Sequence, residues 1–241
     1  MPSSNQRALR VELTPVLKGC LRCSSRMRRD YRNHRTLHGT SGTTVLTLVV
    51  LRCQNKSCPR FHRPYRPETE WHYGLPGTKF DLTASRLVFE RHLAGESNLA
   101  IHRRIATLGV PSSPRSVKNI IDRYKELTRR ASAAWTKAQV ALLKAERSVF
   151  LDLVPLYEHQ GRMYLLARDF YSNTVLSGCE ILKEDMHDDA TALLHSILDR
   201  LPVPVAYICR PPIAGLREAT TRLLPGVDVF NPRVLSPSAA R

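Results

Sequence analysis

No stretch of this 241-residue sequence approaches the roughly 18 consecutive apolar residues that a helix needs to cross a bilayer. The opening run MPSSNQRALRVELTP has no apolar centre, so neither a secretory leader nor a membrane partner is expected. Acidic residues are scarce in one part of the chain only. Residues 1–150 hold 10 Asp/Glu against 28 Lys/Arg, a balance of +18, whereas residues 151–241 hold 11 against 9, a balance of −2. A near-neutral segment joined to a strongly basic one is the electrostatic footprint of a polyanion binder. Arginine far outnumbers lysine, which suits bidentate contact with phosphates and base edges. Nucleic acid is the expected partner.

Only six cysteines are present, and four of them stand as two short-spaced pairs: Cys20 and Cys23 in CLRC, Cys53 and Cys58 in CQNKSC. Between the pairs lie a basic run, RMRRDYRNHR, and a β-rich run, TTVLTLVVLRC. Two such pairs with strands between them predict a zinc ribbon, in which four thiolates close a tetrahedral site and leave no position open for chemistry. A domain this small buries too little apolar surface to stand alone, so Zn2+ would act as a structural cofactor. His62 follows Cys58 closely and could replace one thiolate, with His34, His38 and His72 as further candidates. Cys179 and Cys209, alone in apolar contexts, read as buried thiols.

From Leu82 the apolar spacing becomes helical. LTASRLVFERHLAGES places Leu82, Leu87, Val88 and Leu93 on one stripe, with Thr83 as N-cap and Gly95 as terminator. SNLAIHRRIATLGVP follows, capped by Ser97 and closed by Gly109, with Leu99, Ile101, Ile105 and Leu108 apolar. SSPRSVKNIIDRYKELTRRA then opens with Ser113 and a proline, the expected helix start, and carries Val117, Ile120, Ile121, Tyr124 and Leu127 on its apolar face. Three helices with short glycine-containing turns predict a helix-turn-helix with the third as recognition helix. Arg115, Ser116, Lys118, Asn119 and Arg123 lie off its apolar face as candidate DNA contacts, with Arg28 and Arg29 of the basic run as further ones. AAWTKAQVALLKAERS reads as a connector helix.

After Ser148 the pattern is α/β: VFLDLVPLYE, RMYLLARDFY and TVLSGCEIL are β-rich runs joined by short turns, hence antiparallel neighbours. An amphipathic helix over 188–201, the strand PVAYIC, the helix AGLREATTRLL and the strand GVDVF complete it. This order resembles bacterial insertion-sequence transposases that join a zinc ribbon and a helix-turn-helix to a ribonuclease-H-like domain bearing an Asp-Asp-Glu triad. The resemblance runs over about residues 15–232 and rests on LRCQNKSCPR, LTASRLVFERHLAGESNLAIHRRI, LDLVPLYEHQGRMYLLARDFYSNTVLSG and LPVPVAYICRPPIAGLREATTRLLPGV. It implies an α+β multidomain chain: a tail (1–15), a zinc ribbon (16–78), a helix-turn-helix domain (79–131), a connector helix (132–148), a truncated ribonuclease-H-like domain (149–232) and a mobile tail (233–241).

In that family the triad holds two divalent metals that activate a nucleophile toward a DNA phosphodiester. Asp152 matches the first acid. Arg210, in CRPP, stands where the second belongs, and the chain ends at Arg241, before a helix that would carry the glutamate. Arg210 would bring a positive charge into the site and repel such metals, and Asp169, Asp185, Asp188 and Asp189 read as turn and helix-start residues. The expectations are therefore a catalytically inactive double-stranded-DNA binder, no Mg2+, a bacterial cytoplasmic and nucleoid location, and a second copy or partner protein covering an incomplete sheet. The alternatives are one component of an active transposase completed by another chain, or a nucleic-acid-bound scaffold.

Overall fold

The computed structural model describes residues 8–231. Residues 1–7 and 232–241, and with them the expected mobile tail, lie outside the described residues. The described residues are α+β, with six α-helices and two mixed sheets among them. The chain divides into two compact units, up to Ile121 and from Asp122 onward. No described helix is long and apolar enough to cross a membrane.

The first unit is built on a three-stranded sheet. Strands β1 (Leu9–Leu13), β2 (Met27–Gly39) and β3 (Gly42–Cys53) lie in the order β1-β3-β2, with β1 parallel and β2 antiparallel to β3. Residues 9–13, expected within a tail, are therefore a strand. Their alternation in LRVEL lets Leu13 join Leu37, Leu46 and Leu48 in a small leucine cluster, and the central strand β3 supplies the free edge for pairing. A bulge at Asp30 interrupts the β2–β3 ladder between Arg29 and Tyr31.

Two helices and the start of a third follow in this unit. Helix α1 (Leu82–Leu93) is capped by Asp81, whose side chain accepts from the Ala84 amide at 2.7 Å; Thr83, the expected cap, lies inside the helix. Helix α2 (Asn98–Thr107) is capped by Ser97 as expected, and Ile101 and Ile105 are its buried residues. Leu93, Leu99 and Leu108, expected on apolar stripes, are instead exposed. Gly95 and Gly109 end these helices with φ of 83° and 78°, a region open to glycine without strain. Helix α3 (Pro114–Ser132) begins where Ser113 Oγ accepts from the Ser116 amide at 3.1 Å, and Val117, Ile120 and Ile121 are buried.

The second unit holds the rest of α3, where Tyr124 and Leu127 are buried, helix α4 (Lys137–Lys144) and a five-stranded sheet. Strands β4 (Val149–His159), β5 (Arg162–Asp169) and β6 (Val175–Leu182) run antiparallel. They are followed by helix α5 (Met186–Leu198), strand β7 (Val205–Cys209), helix α6 (Ala214–Leu223) and strand β8 (Asp228–Phe230). The order is β6-β5-β4-β7-β8, with β7 parallel to β4 and β8 parallel to β7. Central β4 is buried nearly throughout.

One face of this sheet carries Val149, Leu151, Leu153, Leu165 and Ile208 into a core completed by Leu194 and Ile197 of α5 and Leu216 of α6. The expected connector is part of that core. Its helix is shorter than the 132–148 reading, Leu143 is fully buried, and Trp135 Nε1 donates to the Leu176 carbonyl at 2.7 Å. At Gly178 a Cβ would meet Ala131 Cβ and a Tyr164 ring carbon at 2.9 Å each, so only glycine lets α3 approach β6 this closely.

Candidate functional site

The four paired cysteines come together. Cys20 Sγ lies 3.9 Å from Cys58 Sγ and Cys23 Sγ 3.5 Å from Cys53 Sγ, and all four sulfurs fall within 4.8 Å of one another. A disulfide would need sulfurs about 2.05 Å apart. Tetrahedral thiolates on a metal at about 2.3 Å sit about 3.8 Å from each other, close to the separations found here. The group can hold one metal ion, and the donor set is compatible with Zn2+.

Local backbone explains why these residues converge. Cys20 opens a tight turn in which its amide bonds to the Ser25 carbonyl and its own carbonyl accepts from the Ser24 amide, with Ser24 at φ 59°. Cys53 ends β3, and Cys58 follows a turn built on Asn55, whose carbonyl accepts from the Cys58 amide. The Arg60 amide donates to Cys58 Sγ at 3.4 Å, a contact that favours a thiolate there. A hydrogen bond from the Ser25 side chain lowers the Cys23 thiol to about 6, whereas burial pushes Cys53 up to about 12 and raises Cys58. Holding buried sulfurs deprotonated together is the task a bound dication performs.

None of the alternative histidine ligands belongs to this group. His34 Nδ1 pairs with Thr47 Oγ1 at 3.2 Å and His38 Nδ1 with Thr43 Oγ1 at 3.3 Å, while the His62 ring packs edge-on against Phe61.

A buried carboxylate anchors the segment leading into Cys20. Glu68, 1% exposed, accepts from the Val16 amide at 2.9 Å, the Leu17 amide at 3.2 Å and the Tyr65 hydroxyl at 2.6 Å, and burial raises its pKa. Glu70 takes Arg35 at 3.1 Å and Arg66 at 2.7 Å, and Arg35 also donates to the carbonyls of Gly74, Leu75 and Thr78. Arg35, from the basic run, is thus a structural cross-link. No sequence pattern announced it, because its partners lie 35 to 43 residues away.

The candidate DNA-contact residues divide. Arg28, Arg29, Arg115, Lys118 and Asn119 are exposed. Ser116 bonds Ser113 Oγ at 2.9 Å and belongs to the helix start. Arg123 is held by Glu126 at 2.7 Å, so its charge is already partnered.

Asp152 is fully buried in the middle of β4, and its partner is a residue the sequence reading did not single out. Arg168, opposite it on β5 and 1% exposed, donates from Nε at 2.8 Å and approaches with a second nitrogen at 2.5 Å, both to Oδ2. Asn173 takes another guanidinium nitrogen at 2.9 Å, and the Phe170 ring lies 5.3 Å below the guanidinium carbon. The carboxylate expected to face metals is instead neutralised by an in-built cation. Arg210, expected as the intruding charge, is 6% exposed at the end of β7, and its Nε has no hydrogen-bond partner.

Asp169 is the last residue of β5, and its side chain holds the turn that follows. It accepts from the Ser172 amide at 2.6 Å and the Phe150 amide at 3.1 Å, and burial raises its pKa. Asp188 and Asp189 lie in the first turn of α5, and Asp189 also accepts from the Leu182 amide. Cys209 is fully buried and Cys179 is half-buried.

No family model matches the chain, and no curated protein matches it.

Proposed function

We propose that this protein is a transposase-derived, nucleic-acid-binding protein without nuclease activity of its own. In this reading a structural Zn2+ closes the Cys20, Cys23, Cys53 and Cys58 site. Helices α1 to α3 act as a helix-turn-helix, and the second unit is a ribonuclease-H-like remnant. The observation that carries it is the start of α3: Arg115, Lys118 and Asn119 stand exposed there beside buried Val117 and Ile120, in the part of the chain with an 18-charge basic excess. A helix so placed presents Arg and Asn to base edges, while Arg28 and Arg29 on β2 would add phosphate contacts. The bound element would be double-stranded DNA, a transposon end or an operator in a bacterial nucleoid.

The strand order β6-β5-β4-β7-β8, three antiparallel strands continued by two parallel ones, supports the ribonuclease-H-like assignment. The Arg168–Asp152 pair supports the absence of Mg2+ chemistry, because hard dications need ionised, unclaimed carboxylates. It also weighs against completion by another chain: acids supplied from outside would still meet an Asp152 already neutralised. Exposed Val229 on edge strand β8 favours a second copy or a partner protein against that edge.

The test is selection of random genomic fragments on immobilised protein at about 50 and about 200 mM salt. One motif retained at the higher salt is the expected result. Loss of all sequences together would leave only phosphate contact and remove the role of α3. DNA cleavage with Mg2+ or Mn2+ that disappears in Asp152→Ala would overturn the inactive reading.

A further inference from the structure

Strand β2 lies at the edge of the first sheet, and its first half reads MRRDYR. Arg28, Arg29, Tyr31 and Arg32 are all exposed. Arg28 stands directly opposite Arg52 of β3, and Tyr31 stands opposite Val50. Arg52 and Val50 are two residues apart on one strand and so share a face. Arg28, Arg52 and Tyr31 therefore lie on one face of the sheet. On a regular strand Arg28 and Tyr31, three apart, would point to opposite faces; the bulge at Asp30 takes up one position and brings them to the same one.

This grouping is not what a sheet needs for its own stability. Like charges directly opposite across a ladder are destabilising. One acid, Asp30, reaches Arg52 at 2.6 Å, and Arg28 has no ion-pair partner among the described residues. Tyr31 is 44% exposed, with neither a ring contact nor a side-chain hydrogen bond among the described residues. It is the diagonal neighbour of Arg52, a spacing of about 7–8 Å that aromatic and long side chains bridge. Charge on an edge strand serves to block pairing with another sheet, but that task calls for no exposed ring set between guanidinium groups. A second copy laid on this face would oppose arginine to arginine. The complementary partner is a polyanion that also carries flat, apolar surfaces.

We infer that Tyr31, Arg28 and Arg52 form a stacking platform for an unpaired base of a single-stranded nucleic acid. The Tyr31 ring takes the face of the base, Arg28 takes a flanking phosphate, and Arg52, steadied by Asp30, takes the next. In a duplex the faces of each base are covered by its neighbours, so only an unpaired base offers one to the ring. The inference rests on the reading that the basic part of the chain binds nucleic acid, and it adds a single-stranded substrate to the duplex assigned to α3.

The experiment uses the full chain loaded with Zn2+ and two fluorescein-labelled probes followed by anisotropy: a dT strand of about 16 nucleotides and a random-sequence duplex of the same length. The parent protein should bind the strand. Tyr31→Ala should weaken that binding roughly 5- to 100-fold and leave duplex affinity unchanged. Tyr31→Phe, which keeps the ring and loses the hydroxyl, should stay within about twofold of the parent. Arg28→Ala should reduce the salt slope of strand binding by about 0.7. A strand carrying 5-iodouracil, crosslinked by light, should mark Tyr31 in peptide mapping.

A Tyr31→Ala variant that binds the strand like the parent overturns the platform, and so does a Tyr31→Phe variant as weak as Tyr31→Ala. Duplex affinity that falls in step with strand affinity overturns it as well, because the substitution has then disturbed the unit and not a stacking contact. A parent protein that binds duplex but not the strand removes only the platform. Strand binding with a crosslink at Tyr31 and no duplex binding sustains the platform and removes the role of α3. A parent protein that binds neither probe removes both.

Discussion

The two sheets of this protein solve the same problem with different materials. Around β3 the apolar part is modest in extent, with Leu13, Leu37, Leu46 and Leu48 in one cluster and Val49, Val50 and Met27 also buried, and polar groups are brought in beside it: four convergent thiols, Glu68 with its three donors, and Glu70 between Arg35 and Arg66. Around β4 the order is reversed. Leu151, Leu153, Leu165, Leu194, Ile197 and Ile208 are all fully buried in one continuous core, and the one buried ion pair, Arg168–Asp152, is an inclusion in an apolar setting. The first sheet adds polar cross-links to its apolar burial; the second relies on burial, with one charged pair set into it.

That contrast can be broken at its strongest point first. Loading the four-cysteine site with Zn2+ and then stripping it with a chelator, or Cys20→Ser, should unfold residues 9–80 while the second unit keeps its structure. The loss is on the order of 10 kcal/mol, the scale of thiolate–zinc folding free energy. Hydrogen exchange resolved by segment is the measurement; simultaneous loss of both units would dissolve the distinction.

Next in size is the ion pair. Arg168→Met removes the guanidinium from a fully buried carboxylate and should cost about 3–5 kcal/mol, whereas Arg168→Met with Asp152→Leu should recover most of it. Urea unfolding of both variants decides whether the pair is an inclusion or the keystone of the sheet. A core substitution tests the apolar side: Leu153→Ala should cost about 2–5 kcal/mol and leave metal affinity unchanged.

A smaller effect concerns acidity. Burial raises Glu68 in the folded state, so what that carboxyl contributes is fully present below the ordinary carboxylate range and is lost as pH rises through its raised value. The first unit should therefore melt higher at mildly acidic pH than at neutral pH for this group, and Glu68→Ala should flatten that slope while loosening the turn at Val16 and Leu17. Smallest for stability is Arg115→Ala, expected within about 0.5 kcal/mol of the parent because the side chain is exposed. Under the proposed function, its effect should appear only in DNA affinity.

Most elements were legible because their signals are local. Ser97, Ser113, Gly95 and Gly109 bound their helices where the spacing implied. The strands of the second unit fall where the β-rich runs lie, since turn residues and apolar runs act over only a few positions. Asp81 displaced Thr83 as the cap of α1 for a tertiary reason: its amide is held by the His38 carbonyl of β2, which places the helix cap two residues earlier.

The register of β4 against β5 shows what could not be read in advance. The hairpin closes at His159 and Arg162, and regular pairing from there would set Asp152 opposite Asp169, acid against acid. The ladder shifts between Pro155 and Tyr157, leaving Leu156 as the extra residue, and that one-position slip brings Arg168 opposite Asp152. Proline has no amide for a central ladder, so a bulge is where it can be accommodated. The carbonyl of Leu156 is satisfied by the Tyr124 hydroxyl at 3.1 Å, from a helix more than thirty residues away.

By itself, then, the sequence determined the elements, the helix starts, the cysteine pairs and the separation of a basic part from a neutral one, because each of these depends on neighbours in the chain or on composition. Only the tertiary structure decided that Asp152 pairs with Arg168, that Arg35 is a cross-link, and that the Nε of Arg210 is buried without an acceptor. Each of those depends on register and on contacts across dozens of residues, where a single bulge exchanges a carboxylate for a guanidinium.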